Sequence, residues 1–478
     1  MDSSQLKKVG PCTYVVEPSG GMRVPLRIFA SEVLLAHLLK DKSIEQGMHV
    51  AALPGIRKHA IMMSDAHQGY GFPIGGVAAF DDKEGIITPG GIGFDINCGV
   101  RVLVSDLMKE EVALRIKDVL NAIFAAVPAG VGGLSGLRLD DAELDEVLRE
   151  GMDWAVRKGL ARPEDKERCE EGGRMPLADP SKVSSKAKSR GRRQLGTLGA
   201  GNHFLEVQYV DEVFDAAVAE RFGVGRVGRV VVMVHSGSRG LGHQVCSDYL
   251  RRMEEEFPNL VESLPEKDLV YAPLSSALAA DYYGAMSAAA NFGWCNRQVI
   301  TYQVRKAFAR VFGEGSALQV LYDVAHNIAK REVHVIEGRH EQVMVHRKGA
   351  TRGFGPGHAE VCACYRDVGQ PILIPGSMGT ASYILVGTDK AMEDTFGSTP
   401  HGAGRVMSRH EANRTFSGRQ VKEDLERRSI AIKSASVKGI TEEAPQVYKD
   451  IDEVIRVARE VGIGLPVVRL RPLGVVKG

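Results

Sequence analysis

No apolar run in this 478-residue chain is long enough to span a membrane. The N-terminal stretch MDSSQLKKVG has no apolar core of the kind a secretory leader needs. A cytoplasmic location is therefore expected. No CxxC pair is present. The seven cysteines, Cys12, Cys98, Cys169, Cys246, Cys295, Cys362 and Cys364, are odd in number and scattered. This argues against a zinc ribbon, a thioredoxin-like motif and a disulfide framework, and fits a reducing compartment. Neither sign of charge is in excess, since 61 Lys and Arg face 60 Asp and Glu. Any nucleic-acid surface must therefore be a local patch. There is no GK[ST] ending a Walker loop. Internal repeats and low-complexity tracts are also missing.

What remains has the composition of a globular enzyme, 44% hydrophobic and 25% charged. The 54 glycines point to many loops with unusual backbone angles or close approach to a ligand. Periodicity predicts strands at residues 61–65, 76–80, 100–105, 204–210, 230–234, 318–324, 342–345 and 372–374. It predicts helices over residues 24–40, 109–126, 140–158, 211–222, 244–256 and 275–311. Strands and helices do not alternate regularly, so the fold class is α+β rather than doubly wound. The expected architecture is a single composite domain, residues 1–478, of mixed and mainly antiparallel sheets with helices around a central metal and nucleotide cleft. Residues 161–193, charged and carrying Pro163, Pro176 and Pro180, read as a surface excursion within it. That segment ends in a basic stretch, KVSSKAKSRGRRQLG.

The densest chemistry is in TPGGIGFDINCG, where Asp95 and Cys98 set a carboxylate and a thiol three residues apart. A thiolate can bridge two cations, and a nearby carboxylate can hold one of them. His203, His235 and His326 each occupy a small-residue, polar context beside an apolar strand. Together the five read as the ligands of a one- or two-metal site. His37, His49, His59, His340 and His410 lie in helical or charged settings and read as surface or interface residues. His401 opens HGAGR, where small neighbours leave its imidazole approachable by a phosphate. Imidazole can act as a nucleophile at phosphorus, and Asp65 in MSDAHQGYG is the candidate carboxylate to hold its Nδ1–H. The loop PGSMGTASYILVG offers backbone N–H groups and hydroxyls suited to phosphate oxygens. Lys477 follows apolar residues that would dock the tail and deliver its ammonium to a site.

DINCGVR, GTLGAGNHFLEV, VHSGSRGLGHQV, DVAHNIAK, PGSMGTASYILVG, HGAGR and the terminal GVVKG, in this order, resemble the RtcB family of GTP-dependent RNA ligases. The resemblance runs from about Asp65 to the C-terminus. It implies joining of an RNA end bearing a 2′,3′-cyclic phosphate or 3′-phosphate to a 5′-hydroxyl end, in tRNA splicing and RNA repair. GTP would be the co-substrate, with two Mn²⁺ per active site and archease as a possible activating partner. By motif, Cys98 would bridge the ions, with Asp95 and His326 completing one and His203 and His235 the other. His401 would be guanylylated. Asn202, Phe204, Leu205, Glu206, Asn327, Pro375, Gly376, Ser377, Met378, Ser382, Gly402, Ala403, Gly404 and Lys477 would join His203, His326 and His401 in lining the GTP or guanylate pocket. Glu206 suits guanine, because a carboxylate accepts from N1–H and the amino group together. Arg190, Arg239, Lys348 and Arg352, in polar loop settings, are the expected contacts to RNA phosphates.

Two other readings compete. A binuclear metal-dependent phosphoesterase accounts for Asp95, Cys98 and the three histidines but leaves His401, the PGSMG loop and Lys477 idle. A non-catalytic RNA binder needs the basic stretch but no metal cluster. By affinity alone, a set rich in Cys and His prefers zinc to manganese.

Overall fold

The computed structural model describes residues 5–478. Residues 1–4, on which part of the leader reading rests, lie outside the described residues. Two large sheets organise the chain. The first is seven-stranded, in the order Leu6–Gly10, Thr13–Val16, Leu26–Phe29, Ala60–Tyr70, Phe72–Asp81, Arg339–Lys348, Asn327–Ile336. It is antiparallel except where Leu26–Phe29 runs parallel to Ala60–Tyr70. The second runs Leu318–Ala325, Gly99–Met108, Arg229–Ser236, Phe204–Val213, Leu465–Lys477, Ser382–Val386, Pro371–Ile374. An eighth strand, Ala431–Ser434, pairs parallel with the end of Leu465–Lys477. The α+β class and the mainly antiparallel pairing therefore hold.

The sequence explains the order. Val230–Val234 is a run of β-formers buried on both faces, and it takes a central position in the second sheet. Ala277–Phe312 is a 36-residue helix, capped by the Ser276 hydroxyl on the Ala279 N–H and stopped at Gly313 (φ +93°). It is buried nearly all round over its middle turns, so it works as an internal strut.

Four expected elements differ. Residues 24–40 split into the strand Leu26–Phe29 and the helix Glu32–Leu38, because Ser31 caps the Leu34 N–H and starts the helix late. In residues 211–222 strand pairing continues to Val213, opposite Val468, and only Ala216–Arg221 is helical. The helical expectation over 140–158 breaks at Gly151 (φ +56°), where a Cβ would lie 2.3 Å from the Gly173 carbonyl. That over 109–126 breaks at Arg115.

Within residues 161–193, many of which are exposed, two acidic groups reach into the fold. Asp165 is buried against Arg305 and Gln298. Glu170 is buried too, accepting from the Ala325 N–H (2.8 Å) and pairing with Lys330 (2.6 Å). Proline and charge mark the segment as a surface excursion, and within it Asp165 and Glu170 serve as partners for Arg305 and Lys330. His59 is likewise buried, with its Nε2 2.8 Å from the Asp394 carbonyl. No helix among the described residues is long and apolar enough to cross a membrane.

Candidate active site

Strand register assembles the first half of the site. Gly99 pairs with Ser236, Val100 and Phe204 both pair with His235, Ala325 pairs with Gly99, and Lys477 pairs with Phe204. Five strands of one sheet thus end at the same level. There they deliver Cys98, His203, His235, His326 and Lys477 from the residues at or next to the strand ends. The loop holding Asp95 and Cys98 is a tight turn. Cys98 N–H donates to the Asp95 carbonyl (2.9 Å), and Asn97 adopts φ +52°. Asn97 N–H donates to the Asn327 carbonyl (2.8 Å), and His326 N–H to that of Cys98 (2.9 Å). Arg297, fully buried, donates to the carbonyls of Asn97 and Ser236 (2.8 Å each). Its charge is met by Asp323, which also holds Arg101 (2.7 Å). Gly237 is required for space, because a Cβ there would lie 2.5 Å from Asp95 Oδ1.

The donor atoms converge. Cys98 Sγ lies 3.4 Å from His203 Nε2 and 3.3 Å from His235 Nε2, and His235 Nε2 lies 3.3 Å from His326 Nε2. His203 Nδ1 donates to the Leu198 carbonyl (3.0 Å), which leaves Nε2 as the atom 2.7 Å from Asp95 Oδ2. Burial outweighs the pull of Asp95 and lowers the His203 pKa. Burial, then neighbouring histidines, lowers those of His235 and His326 further. All three are therefore neutral imidazoles at pH 7. Burial and then Asp95 push the Cys98 thiol well above its ordinary range. A thiolate at Cys98 therefore requires a cation at the sulfur.

In the other half of the site, Asp65 comes from the first sheet and His401 follows the short strand Ser398–Pro400, which pairs with Ala350–Arg352. Asp65 lies within Ala60–Tyr70, completely buried. Its Oδ2 accepts the backbone N–H of His401 (2.9 Å) and Gly402 (3.2 Å) and lies 2.5 Å from His401 Nδ1. Burial opposes ionisation of Asp65, but His401 overrides it and holds the carboxyl below its usual range. Behind Asp65, the buried Lys449 donates to the carbonyls of Ser64 and Ala66. Gly404 (φ +74°) has no room for a side chain, since a Cβ would meet the Asp65 carbonyl at 2.0 Å. His401 and His326 face each other with ring centroids 4.9 Å apart. Both line one cavity of about 340 Å³, together with Cys98, Asn202, Phe204 and Lys477.

Comparison with known proteins decides the family. Residues 46–478 match the model of the family described as tRNA-splicing ligase RtcB. A protein named tRNA-splicing ligase RtcB from Pyrobaculum aerophilum is 56% identical over 97% of this chain and 98% of its own length. Namesakes from Thermococcus kodakarensis and Methanococcus maripaludis are 53% and 49% identical, over 96% and 99% of this chain and 95% and 100% of their own lengths. The chain belongs to the RtcB family.

Set against the RtcB motifs, the five donor residues do come together, as two groups that share Cys98: Asp95–Cys98–His203 and Cys98–His235–His326. This grouping differs from the expected pairing of Asp95 with His326 and His203 with His235. The reason is the direct 2.7 Å contact between Asp95 and His203. The set fits divalent cations. With Nδ1 of His203 committed to Leu198, its Nε2 and a carboxylate oxygen are two acceptors face to face, an arrangement that needs a positive charge between them.

The remaining sequence expectations separate by location. Asn202, Phe204, Asn327, Pro375, Gly376, Ser377, Met378, Gly402, Ala403, Gly404 and Lys477 line the cavity with His326 and His401. Glu206 and Ser382 are buried and joined through Gln208, which donates to both (2.7 and 2.9 Å). Leu205 is a correction: strand alternation turns its side chain into the core on the other face of the sheet. The PGSMG loop needs a second correction. The N–H groups of Gly376 and Ser377 are already taken by the Ser382 (3.1 Å) and Thr380 (2.9 Å) hydroxyls, so they shape the loop rather than offering themselves to phosphate.

Of the expected RNA contacts, Arg190 is exposed and makes no ion pair among the described residues. Arg239 lies against His203 (3.4 Å). Arg352 is 1% exposed and pairs with Glu170, Glu171 and Glu360, so it is a structural cation and not an RNA contact. Lys348 lines the cavity, but its ammonium is held by the Tyr70 and Phe72 carbonyls (3.0 and 2.9 Å). Burial also lowers its pKa to about 8. Sequence reasoning missed Arg409, Glu443 and Tyr448 on the cavity wall. Glu443 pairs with Arg405 (3.1 Å) and stands 3.7 Å from Lys477. No motif flanks Glu443 or Tyr448, and only the fold brings them in.

Proposed function

We propose that the chain is an RNA ligase that uses GTP and divalent manganese to join a 2′,3′-cyclic phosphate or 3′-phosphate RNA end to a 5′-hydroxyl end, in tRNA splicing and RNA repair. The observation that carries this reading is the His401 imidazole. Its Nδ1 is held 2.5 Å from the buried Asp65, and it lines the same cavity as the thiol-centred donor cluster. The binuclear metal-dependent phosphoesterase reading leaves this imidazole idle.

Asp95, Cys98, His203, His235 and His326 would hold two Mn²⁺ ions, with Cys98 shared between them. When bound, the ions neutralise charge that develops on phosphate oxygens. Everything else is done by the chain's own groups. Asp65 accepts the Nδ1–H of His401 and so leaves the Nε2 lone pair free for the α-phosphorus of GTP. A P–N bond forms, the bond to the β-phosphate oxygen breaks, and pyrophosphate leaves. Glu206 accepts from N1–H and the amino group of guanine, which adenine does not offer. Lys477 and the Gly402–Gly404 turn border the guanylate. A cyclic phosphate is first hydrolysed to the 3′-phosphate. An oxygen of that phosphate attacks the His401-bound guanylate, giving an RNA-3′-pp-5′-G end and freeing the imidazole. The 5′-hydroxyl then attacks the RNA phosphorus, and GMP leaves as the phosphodiester forms. Arg190 and Arg239 are the cations proposed for RNA phosphates.

The test is direct. RNA ending in a cyclic phosphate, mixed with 5′-hydroxyl RNA, should be joined with GTP and Mn²⁺ but not with ATP. Hydrolysis of phosphoesters without joining, under every metal tried, would favour the phosphoesterase reading.

A further inference from the structure

The loop between strands Ala350–Arg352 and Pro371–Ile374 carries two cysteines that the ligase chemistry does not use. Cys362 and Cys364 are separated by one residue, and their Sγ atoms are 2.7 Å apart, closer than sulfurs that merely touch. Both are half-buried, whereas Cys12, Cys98, Cys169, Cys246 and Cys295 are all buried. Burial pushes the Cys246 thiol up to about 12 and raises Cys169 and Cys295, so these thiols are inert at neutral pH. At the pair the balance differs. Either S–H can donate across the contact, and the hydrogen bond with Cys362 draws the Cys364 thiol down to about 7 against the effect of burial, with Arg168 adding to the shift. Cys362 is raised by the same contact.

The loop is pinned at Cys364 and just after it. Arg221 donates to the Cys364 carbonyl and to Asp367 (2.9 Å each), and the Tyr365 hydroxyl donates to the Leu321 carbonyl (3.0 Å). A cavity of about 140 Å³ opens beside Tyr365, lined by Arg168, Arg221 and Arg229 against Asp106 and Glu220.

We propose that Cys362 and Cys364 are a dithiol modification site that closes to an intraloop disulfide by exchange with a low-molecular-weight disulfide. The Cys364 thiolate attacks one sulfur of the small disulfide. Its S–S bond breaks, one small thiolate leaves, and a mixed disulfide remains on Cys364. Cys362 loses its proton and attacks the Cys364 sulfur, expelling the second small thiolate. The protein pair is oxidised by two electrons and the small disulfide is reduced to two thiols. No other co-reactant is needed, and the site stands apart from the ligase reading.

The full-length protein, kept folded, is treated with oxidised glutathione, quenched with iodoacetamide in denaturant and read by peptide mass spectrometry. The peptide containing both residues should lose two hydrogens and escape alkylation, while Cys12, Cys169, Cys246 and Cys295 are alkylated as in untreated protein. In Cys362→Ser the glutathione adduct should persist on Cys364, because the resolving sulfur is gone. The proposal is overturned if both sulfurs of the wild type remain alkylated. It is equally overturned if the wild type keeps a stable adduct, or if Cys364 of the variant reacts no faster than Cys12.

Discussion

Asp65 Oδ2 stands 2.5 Å from His401 Nδ1 and at the same time accepts the backbone N–H groups of His401 and Gly402. One buried oxygen therefore sits against the ring and holds the turn that carries it, although the two residues are 336 positions apart. Such contacts matter because positioning of the nucleophile dominates phosphoryl transfer.

Asp65→Asn keeps the shape but supplies an amide N–H where an acceptor is needed. Transfer of guanylate to the protein should slow on the order of 10²-fold, the size of effect expected from misplacing a reacting group by about 1 Å. GTP affinity should change little. Single-turnover labelling together with equilibrium binding separates the two, and loss of binding with unchanged labelling would count against the assignment.

Glu206 gives the pH dependence. Burial raises its pKa to about 8, opposed by Gln208 and Lys477, so below pH 8 the free protein holds it protonated. The paired guanine donors require the carboxylate, so binding releases a proton. GTP affinity should then strengthen about tenfold per pH unit on approaching pH 8 from below, and level off above it. Glu206→Gln should flatten this profile and reduce the preference for GTP over ATP by about 1–3 kcal/mol, the usual worth of a bidentate base contact. A wild-type profile that is flat from pH 6 to 8 would contradict the assignment.

Cys98→Ala removes the sulfur shared by both donor groups. Manganese binding, followed by equilibrium dialysis, and RNA joining should both be lost, while thermal unfolding stays cooperative. Zinc should compete for the wild-type site and inhibit, because thiolate and imidazole donors favour it. Full activity with zinc alone would refute the manganese assignment.

Asp323→Asn tests the support behind the cluster. Arg101 and Arg297 are both 0% exposed and both depend on this carboxylate. Breaking such a pair should cost about 3–5 kcal/mol, read as a lower unfolding midpoint. Because Arg297 also holds the carbonyls of Asn97 and Ser236, manganese affinity should fall with stability. Unchanged melting would mean that the arginines find other partners.

The chemistry was more legible in the sequence than the architecture. Asp95, Cys98, His203, His235, His326 and His401 stand in short motifs whose residue types state their chemistry, and strand register brings them together. Charge patterning misled elsewhere. Arg352 and Glu170 read as solvent-facing, yet they neutralise one another inside the molecule, and one-dimensional pattern carries no record of such distant pairing. Leu205 was drawn into the pocket by its neighbours, although strand alternation sends it to the opposite face. Glu443 and Tyr448 stand far from any of the motifs, and only the fold brings them to the cavity.

The most direct test of the central claim uses GTP labelled at the α-phosphate, incubated with the protein and Mn²⁺ without RNA. The chain should acquire acid-labile, alkali-stable label that maps to His401, disappears in His401→Ala and is discharged when 3′-phosphate RNA is added. Absence of label under any divalent metal, or label on a residue other than His401, would contradict the account.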